Sequence, residues 1–306
     1  MKIVNNLISN FRGQLAAKKD ILLLDFGSGN TKLYNKEKLI SAKNSSFLEF
    51  DNNHYHKVHL VDHGTITNFD LAVSFLNTFL QDLIKSHEIN SSFTGYYLTS
   101  VGLTQVEELI VKKVLASLKY GTWKIAKKRD LYNTSAGLVF DIGFDSTEVV
   151  LGVSTKSPEA KTIKFGSSIF TQTIRKIVRD KHQLELSWLS AEKIKKDIMG
   201  EDFLLSVNSS KQKITARGKD IYTFVPKTVV IDAKIFQEPL LERVEDLFEE
   251  VKLFFSKIST NHLMNSIEEG LELWGEGARL AGMGQFFSKK LQTNVKVAQP
   301  SYELPS

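Results

Sequence analysis

The feature that most limits how this chain can fold is a short motif that occurs twice, about half a chain apart. The first copy spans residues 21–34, ILLLDFGSGNTKLY, and the second spans residues 138–150, LVFDIGFDSTEVV. Each copy has an apolar run, an aspartate, a polar turn that contains glycine, a threonine and a second apolar run. Apolar runs around such a turn predict a β-hairpin. Two such hairpins predict a duplicated domain that holds a nucleotide between its halves.

The polar turn of the first copy suits a bound phosphate. Its two glycines, Gly27 and Gly29, allow backbone N–H groups to approach an anion. Asp25 ends the first strand, where it is placed to hold a metal ion through water. The side chains that add donors or positive charge are Ser28, Asn30, Thr31 and Lys32. An ordinary hairpin turn explains this copy equally well on its own, and the recurrence of the motif favours the phosphate interpretation.

A third stretch, residues 271–280 (LELWGEGARL), predicts a strand, a Gly-x-Gly turn and the start of a helix. A nucleoside can lie against the exposed backbone of such a turn. In this order, the three stretches resemble the two phosphate loops and the adenosine loop of the actin, sugar-kinase and heat-shock ATPase superfamily. The resemblance implies an α/β fold. This is a duplicated actin-like (ribonuclease H-like) two-domain fold with a nucleotide cleft between the halves.

The composition of the chain limits the classes of protein to which it can belong. A chain of 306 residues is long enough for two domains. It contains no apolar run of about 20 residues, the length that spans a bilayer, and no recognisable signal peptide. The absence of cysteine excludes disulfides and thiolate metal sites, which fits a cytosolic protein. The net charge of +5 comes from interleaved lysines and glutamates, so no nucleic-acid partner is expected.

The histidines between residues 54 and 63 show no metal-binding pattern. They are not placed on one face of a predicted helix and have no regular association with Asp or Glu, so this stretch is expected to form a loop. The histidines concerned are His54, His56, His59 and His63.

The N-terminal segment, residues 1–19, has apolar residues at every fourth position and no acidic residue. The apolar series is Ile3, Leu7, Phe11 and Leu15. A helix with this face and basic flanks favours the interface of an anionic membrane. The alternatives are a helix docked on its own domain or a frayed terminus.

Alternating strand and helix patterns in both halves predict an α/β architecture. The expected domains are residues 20–136 and residues 137–306, and the second carries a small subdomain inserted at about residues 190–260. Asn68 or Asp70 is expected to cap a helix, and residues 217–220 are expected to form a hairpin turn. A helix over residues 104–118 is expected to turn five apolar side chains inward, namely Val106, Leu109, Ile110, Val114 and Leu118.

Further motifs resemble the MreB family of bacterial actins over nearly the whole chain. They occur in the family's order and are each short. In this sequence they are NFRG at 10–13, DHGTITNF at 62–69, DIG at 141–143, STEV at 146–149, SAEKIK at 190–195, ITARGKD at 214–220, VP at 225–226 and QEPL at 237–240.

The resemblance implies an ATP-binding cytoskeletal protein that polymerises with itself, and with other MreB-type actins, on the anionic inner face of the cell membrane. The residues implied in phosphate binding are Asp25, Gly27, Ser28, Gly29, Asn30, Thr31, Asp141, Gly143, Phe144, Asp145 and Ser146. The residues implied in nucleoside binding are Glu192, Lys193, Ile194, Lys195, Gly275, Glu276, Gly277 and Ala278. Asp25 and Asp141 would organise Mg²⁺. The implied location is cytoplasmic and peripheral to the membrane.

Two departures from the family bear on chemistry. The family's second loop has three successive glycines, whereas this chain has Gly143-Phe144-Asp145, which brings a carboxylate near phosphate and narrows access to the backbone. The family's Glu-Glu-Pro turn, whose glutamate positions the attacking water, is replaced by Lys127-Lys128-Arg129. Weak or absent ATP hydrolysis is therefore expected.

Two other functions remain open on the sequence. One is a nucleotide-free or non-hydrolysing adaptor that co-assembles with a typical MreB. The other is a small-molecule kinase or ATPase of the same superfamily, for which Asp130 would be the only carboxylate near the required place.

Overall fold

A computed structural model describes residues 20–35, 38–51, 54–132, 134–153, 155, 158–198 and 213–298. The predicted amphipathic segment, residues 1–19, lies outside the described residues. The chain divides into two compact units. Unit 1 contains the described residues of 20–135 together with 144–164, and unit 2 contains those of 136–143 and 165–298. The domain boundaries expected from the sequence stay a prediction.

The structure has the expected mixture of strands and helices. The strands are β1 (Asp20–Phe26), β2 (Asn30–Asn35), β3 (Lys38–Asn44), β4 (Ser46–Asp51), β5 (His54–His59), β6 (Val61–Asp62), β7 (Thr65–Ile66), β8 (Phe93–Thr99), β9 (Thr122–Lys127), β10 (Leu138–Ile142), β11 (Thr147–Leu151), β12 (Glu159–Ile163), β13 (Leu184–Glu185), β14 (Lys213–Asp220), β15 (Pro226–Asp232), β16 (Leu271–Trp274) and β17 (Val295–Val297).

The helices are α1 (Phe69–Lys85), α2 (Gln105–Ala116), α3 (Ser168–His182), α4 (Trp188–Ile198), α5 (Gln237–Phe255), α6 (Thr260–Glu268) and α7 (Met283–Leu291). Short 3-10 turns span Lys128–Leu131, Ala233–Phe236 and Gly277–Arg279. In the part of the chain that the structure describes, no helix combines the length and apolarity needed to cross a bilayer.

Unit 1 is built on a five-stranded sheet with the strand order β3-β2-β1-β8-β9. β1 is antiparallel to β2 and parallel to β8, which is parallel to β9. Side chains alternate across β1, so Leu22 and Leu24 join the larger core while Leu23 faces a smaller cluster with Tyr96. The larger core also contains buried side chains of α1 and α2, which places both helices against this sheet.

The start of α1 agrees with the sequence, because the Oδ1 atom of Asn68 accepts a hydrogen bond from the backbone N–H of Leu71 at 3.0 Å. Of the five side chains expected to face inward, Val114 is buried and Ile110 and Leu118 pack against the core, whereas the expectation is wrong for Val106 and Leu109. Val106 and Leu109 are 68% and 51% exposed, whereas Val111 is buried. At 3.6 residues per turn, Val106 and Leu109 lie on nearly the opposite side of the helix from Val111. Only one apolar stripe can face the core, and it runs through Val111, Val114 and Leu115.

The loop expected around the histidines is also wrong, because residues 54–59 form β5. This strand pairs with β4 in an antiparallel ribbon whose register sets Ser46 opposite His59. His63 lies in the turn between β6 and β7 with a φ of 47°.

Unit 2 contains three parallel strands in the order β10-β16-β17. A separate antiparallel sheet has the order β13-β14-β15. The core around β10 is aromatic, since the rings of Phe140 and Phe287 meet edge to face with centroids 5.2 Å apart. Phe170 of α3 and Val244 of α5 are fully buried in this unit.

The hairpin turn expected at residues 217–220 is wrong, because β14 continues through Asp220. The turn follows it, where the Oδ1 atom of Asp220 accepts the backbone N–H groups of Tyr222 and Thr223 at 2.9 and 3.0 Å. Phe224 takes a φ of 60° in this turn. The carboxylate captures the local backbone donors, and this interaction moves the turn beyond the glycine.

Candidate functional site

The first predicted phosphate loop is a tight turn between β1 and β2. The N–H of Gly27 donates to the carbonyl of Asn30 at 3.3 Å, which closes the turn. Ser28 is 7% exposed. The Thr31 side chain is fully buried, and its Oγ1 atom lies 2.9 Å from Oγ of Ser45. The backbone N–H of Ser45 donates to the Gly29 carbonyl at 3.2 Å. Thr31 therefore acts inside the fold, and these hydrogen bonds hold the turn between β1 and β2.

Phe144 packs directly against this turn. A Cβ atom added to Gly29 would lie 3.0 Å from Cβ of Phe144, so Gly29 leaves the space that the aromatic side chain uses. The Phe144 ring also stacks with His59, with centroids 6.4 Å apart. The backbone carbonyl of Asp145 is 2.8 Å from Nδ1 of His63. Phe144 and Asp145, which depart from the family's glycines, are thus held against the β-strand framework of unit 1.

An ion pair lies beside the first loop. The Nζ atom of Lys128 is 3.3 Å from Oδ1 of Asp25, and their side chains are only 26% and 22% exposed. The phenol of Tyr97 lies near the pair and is fully buried. Burial raises the pKa of Tyr97 well above its usual range, the Asp25 charge raises it further, and the Lys128 charge opposes that rise. The sequence places Lys128 at the aligned turn, but the pairing with Asp25 emerges only from the fold.

This pair bears on the Mg²⁺ implied at Asp25. A carboxylate that holds a hydrated Mg²⁺ needs space for a cation next to its oxygens, and here an ammonium already contacts Oδ1. Among residues 20–298, leaving aside the gaps given above, no group of three or more Asp, Glu or His side chains is placed to hold a metal ion. Asp25 therefore does not fit the metal role that the resemblance implies.

In unit 2, the Gly-x-Gly turn lies against the end of β10. Gly275 has a φ of 85°, and a Cβ atom there would lie within 3.0 Å of the Ile142 carbonyl and 2.6 Å from Oδ1 of Asp141. A Cβ atom on Gly277 would meet the Ile142 side chain within 3.0 Å. Both glycines are required by this close approach. The turn continues into a 3-10 helix that includes the buried Ala278, and α7 begins only at Met283, so the helix start expected near residue 278 is a 3-10 turn.

The beginning of the predicted second phosphate loop is held by a hydrogen bond in the same unit. The carbonyl of Gly143 accepts a hydrogen bond from the backbone N–H of Ser167 at 2.9 Å, just before α3. This contact fixes the chain where it leaves β10.

The nucleoside residues expected on α4 point in different directions. Ile194 and Lys195 are buried, and Lys193 is exposed. Successive helical residues are about 100° apart, so four in a row do not face one ligand. Lys193 and Ile194 instead help to line a depression of about 600 Å³ between α4 and β14.

Lys195 forms the centre of a buried network between α3 and α4. Its Nζ atom donates to Oε1 of Glu192 at 2.8 Å, to Oγ1 of Thr171 at 3.0 Å and to the Ser167 carbonyl at 3.3 Å. The Thr171 hydroxyl also donates to Glu192. Thr171 was not identified from the sequence, where its only signal is a polar residue inside an apolar helix pattern.

Comparisons with solved structures identify the fold. MreB5 of Spiroplasma citri, crystallised bound to ADP, matches with a TM-score of 0.78 and 17% identity, covering 93% of both chains. A MamK double helical filament matches with a TM-score of 0.70 and 13% identity, covering 93% of this chain and 96% of that chain. The chain therefore has the actin-like fold, as the sequence predicted.

Sequence comparisons define the family. The model of the MreB/Mbl protein family matches residues 51–304. The cell shape-determining protein Mbl of Bacillus subtilis (strain 168) is 22% identical over 248 residues, which covers 77% of this chain and 72% of that protein. The cell shape-determining protein MreB of Haemophilus influenzae is 20% identical over 247 residues, 77% of this chain and 69% of that protein. The chain belongs to the MreB/Mbl family and is a cytoskeletal protein of the actin family, which confirms the resemblance noted in the sequence.

Proposed function

We propose that this chain binds ATP and forms membrane-associated filaments that contribute to cell shape or movement. The observation that carries this proposal is the Gly-x-Gly turn, where Gly275 and Gly277 bring bare backbone against the end of β10 beside Asp141. Gly275, which carries no side chain, stays exposed, so a nucleoside has access to its backbone, whereas Gly277 is covered by the Ile142 side chain. MreB5 of Spiroplasma citri was crystallised with ADP and with AMPPNP, and this supports nucleotide binding by the same fold.

In this proposal the closed turn at Ser28, Gly29 and Asn30 binds phosphate together with residues 143–146. Glu192, whose side chain is 21% exposed, contacts the nucleoside together with the exposed Lys193 and residues 275–278. Thr31, Ile194 and Lys195 act from within the fold, because each is buried. Mg²⁺ is left out of the proposed site because the Asp25 carboxylate contacts Lys128.

Electron microscopy of the purified chain with and without ATP tests this function directly, combined with calorimetric titration of ATP. Filaments that depend on ATP, with saturable binding, would support it. A chain that neither binds ATP nor assembles would contradict it. MamK, whose double helical filament shares this fold, gives a reference for the expected filament images.

A nucleotide-free adaptor is the second candidate, and one observation favours it. Phe144 takes up the space beside Gly29, and Lys128 contacts Asp25, so side chains of the chain itself cover part of the first loop. Co-assembly with a typical MreB in the absence of nucleotide would identify this function. The kinase alternative depends on Asp130, whose side chain lies outside the described residues.

ATP turnover is expected to be very slow or absent. The last residue of β9 and the first residue of the 3-10 turn after it are Lys127 and Lys128, where the family has water-positioning glutamates. Positioning is a large part of phosphoryl-transfer catalysis. A phosphate-release assay on the purified chain measures the rate. Steady release at the rate of ordinary actin-like ATPases, abolished by Asp25→Ala, would contradict the expectation and indicate that another residue positions the water.

Removal of residues 1–19 is expected to release the protein from anionic liposomes. The reason is the apolar series from Ile3 to Leu15 with its basic flanks. The apolar side chains would be buried in the membrane interface, and the basic residues would be attracted to anionic lipid. Co-sedimentation with anionic and with neutral vesicles measures the effect, and Ile3→Asp with Leu7→Asp in the full chain is the matched variant. Unchanged sedimentation after truncation would refute membrane binding through this segment.

A further inference from the structure

Lys128 reaches Asp25 because of the parallel strand order in unit 1. β1, β8 and β9 run in the same direction, so their carboxyl ends lie at one edge of the sheet. Asp25 lies near the end of β1, and Lys128 follows directly after the end of β9. The lysine side chain spans the intervening strand and places its Nζ atom 3.3 Å from Oδ1 of Asp25. In open α/β sheets, this edge is where ligands bind.

A metal ion held by Asp25 would need room next to its carboxylate oxygens. The ammonium of Lys128 already lies 3.3 Å from Oδ1. A second, divalent cation there would be repelled by the fixed positive charge. Both side chains are about three-quarters buried, so solvent screens this repulsion less than at the surface.

A lysine can supply the charge that the phosphates require. An ammonium is a compact positive charge that binds phosphate as a point charge. The carboxylate of Asp25 holds this charge beside the first loop, where Gly27 and Asn30 close the turn. This positive charge therefore belongs to the chain itself and lies beside the predicted phosphate loop.

We propose that Lys128 takes the place of a divalent cation at this site, so that nucleoside di- or triphosphate binds without Mg²⁺. The inference rests on the proposed function, because it assumes that the first loop binds phosphate. It goes beyond that function by naming the group that neutralises the phosphates and by predicting the metal dependence of binding.

Calorimetric titration of ADP and ATP into the full chain, in excess Mg²⁺ and in EDTA, tests the proposal. Wild-type affinity is expected to change by less than about threefold between the two conditions. Lys128→Gln is expected to lose about ten- to hundredfold in EDTA, because a charge-assisted contact to phosphate is removed. Mg²⁺ is expected to restore much of that affinity, since the space beside Asp25 is then open to a cation.

Two further variants separate charge from folding. Lys128→Arg keeps the positive charge and is expected to retain binding in EDTA. Lys127→Gln removes the same charge from the neighbouring exposed lysine and is expected to bind like the wild type in both conditions. Thermal unfolding followed by circular dichroism shows whether each variant is folded before titration.

The outcomes are distinct. Wild-type binding that requires Mg²⁺ would overturn the role of Lys128 and leave the proposed function standing. Lys128→Gln that binds as the wild type does in EDTA would also overturn it, because the charge would come from elsewhere. No binding by the wild type in either condition would overturn both this inference and the proposed nucleotide site.

Discussion

Replacing Gly275 with alanine is expected to destabilise unit 2 strongly and to abolish ATP binding. The φ of 85° at this position costs an L-residue about 1–2 kcal/mol. In addition, the new Cβ atom would overlap the Ile142 carbonyl, which is backbone and moves only if the end of β10 moves. Together these effects are expected to cost about 3 kcal/mol or more.

The overlap with Ile142 is expected to affect ATP binding as well as stability. Relief of the contact displaces Ile142 and Asp141, which lead into the predicted second phosphate loop. A loss of about 3 kcal/mol corresponds to a fall in the melting temperature of roughly 6–12 °C for a unit of this size. Differential scanning calorimetry gives the stability, and titration with ATP at low temperature tests binding by the folded fraction.

Gly284→Ala is the matched control. Gly284 lies within α7, and a Cβ atom there would be 3.5 Å from Cγ2 of Val297, an ordinary contact. Alanine favours a helix interior over glycine by about 1 kcal/mol, so this variant is expected to be as stable as the wild type or more stable. If Gly275→Ala melted with the wild type, the close approach of the turn to β10 would be wrong.

The first hairpin and the cap of α1 were predictable because each depends on residues that are close together in the sequence. The first hairpin follows from two apolar runs around Gly27 and Gly29, and its strands pair in the register that sets Phe26 opposite Thr31. The cap at Asn68 follows from a side chain that accepts hydrogen bonds at the start of an apolar series.

The features that the sequence did not predict depend on contacts across the chain. The Lys128–Asp25 pair exists because β9 lies two strands from β1, and no spacing of residues reveals that adjacency. The exposure of Val106 and Leu109 depends on which stripe of α2 meets the core. Phe144 was expected to narrow access to a loop, but its packing against Gly29 is set by the tertiary fold.

The residues of α4 show a second reason why the sequence did not predict the whole site. A resemblance assigns a function to a run of residues, here Glu192 to Lys195, whereas a helix distributes that run around its axis. Lys195 therefore has a structural role that a motif match does not distinguish from ligand binding. Its side chain is 8% exposed and contacts three acceptors on α3 and α4 or next to them.

Lys195→Met is expected to destabilise the nucleotide-free protein by about 2–3 kcal/mol. Methionine is of similar length but leaves the Glu192 carboxylate, the Thr171 hydroxyl and the Ser167 carbonyl without the ammonium. A fully buried pair broken in this way costs about 3–5 kcal/mol. The smaller value applies here because the Glu192 side chain is 21% exposed and is able to regain water.

A double-mutant cycle with Glu192→Gln isolates the pair from the effect of each side chain. The double variant is expected to lose less stability than the sum of the two single variants, since residues in one hydrogen-bonded network couple by about 0.5–3 kcal/mol. Lys196→Met is the control, because Lys196 is exposed on the same helix and its replacement is expected to change stability by about 0.5 kcal/mol at most. Urea denaturation without nucleotide measures all four variants. Equal losses for Lys195→Met and Lys196→Met, or strict additivity in the cycle, would show that the network between α3 and α4 does not stabilise the fold.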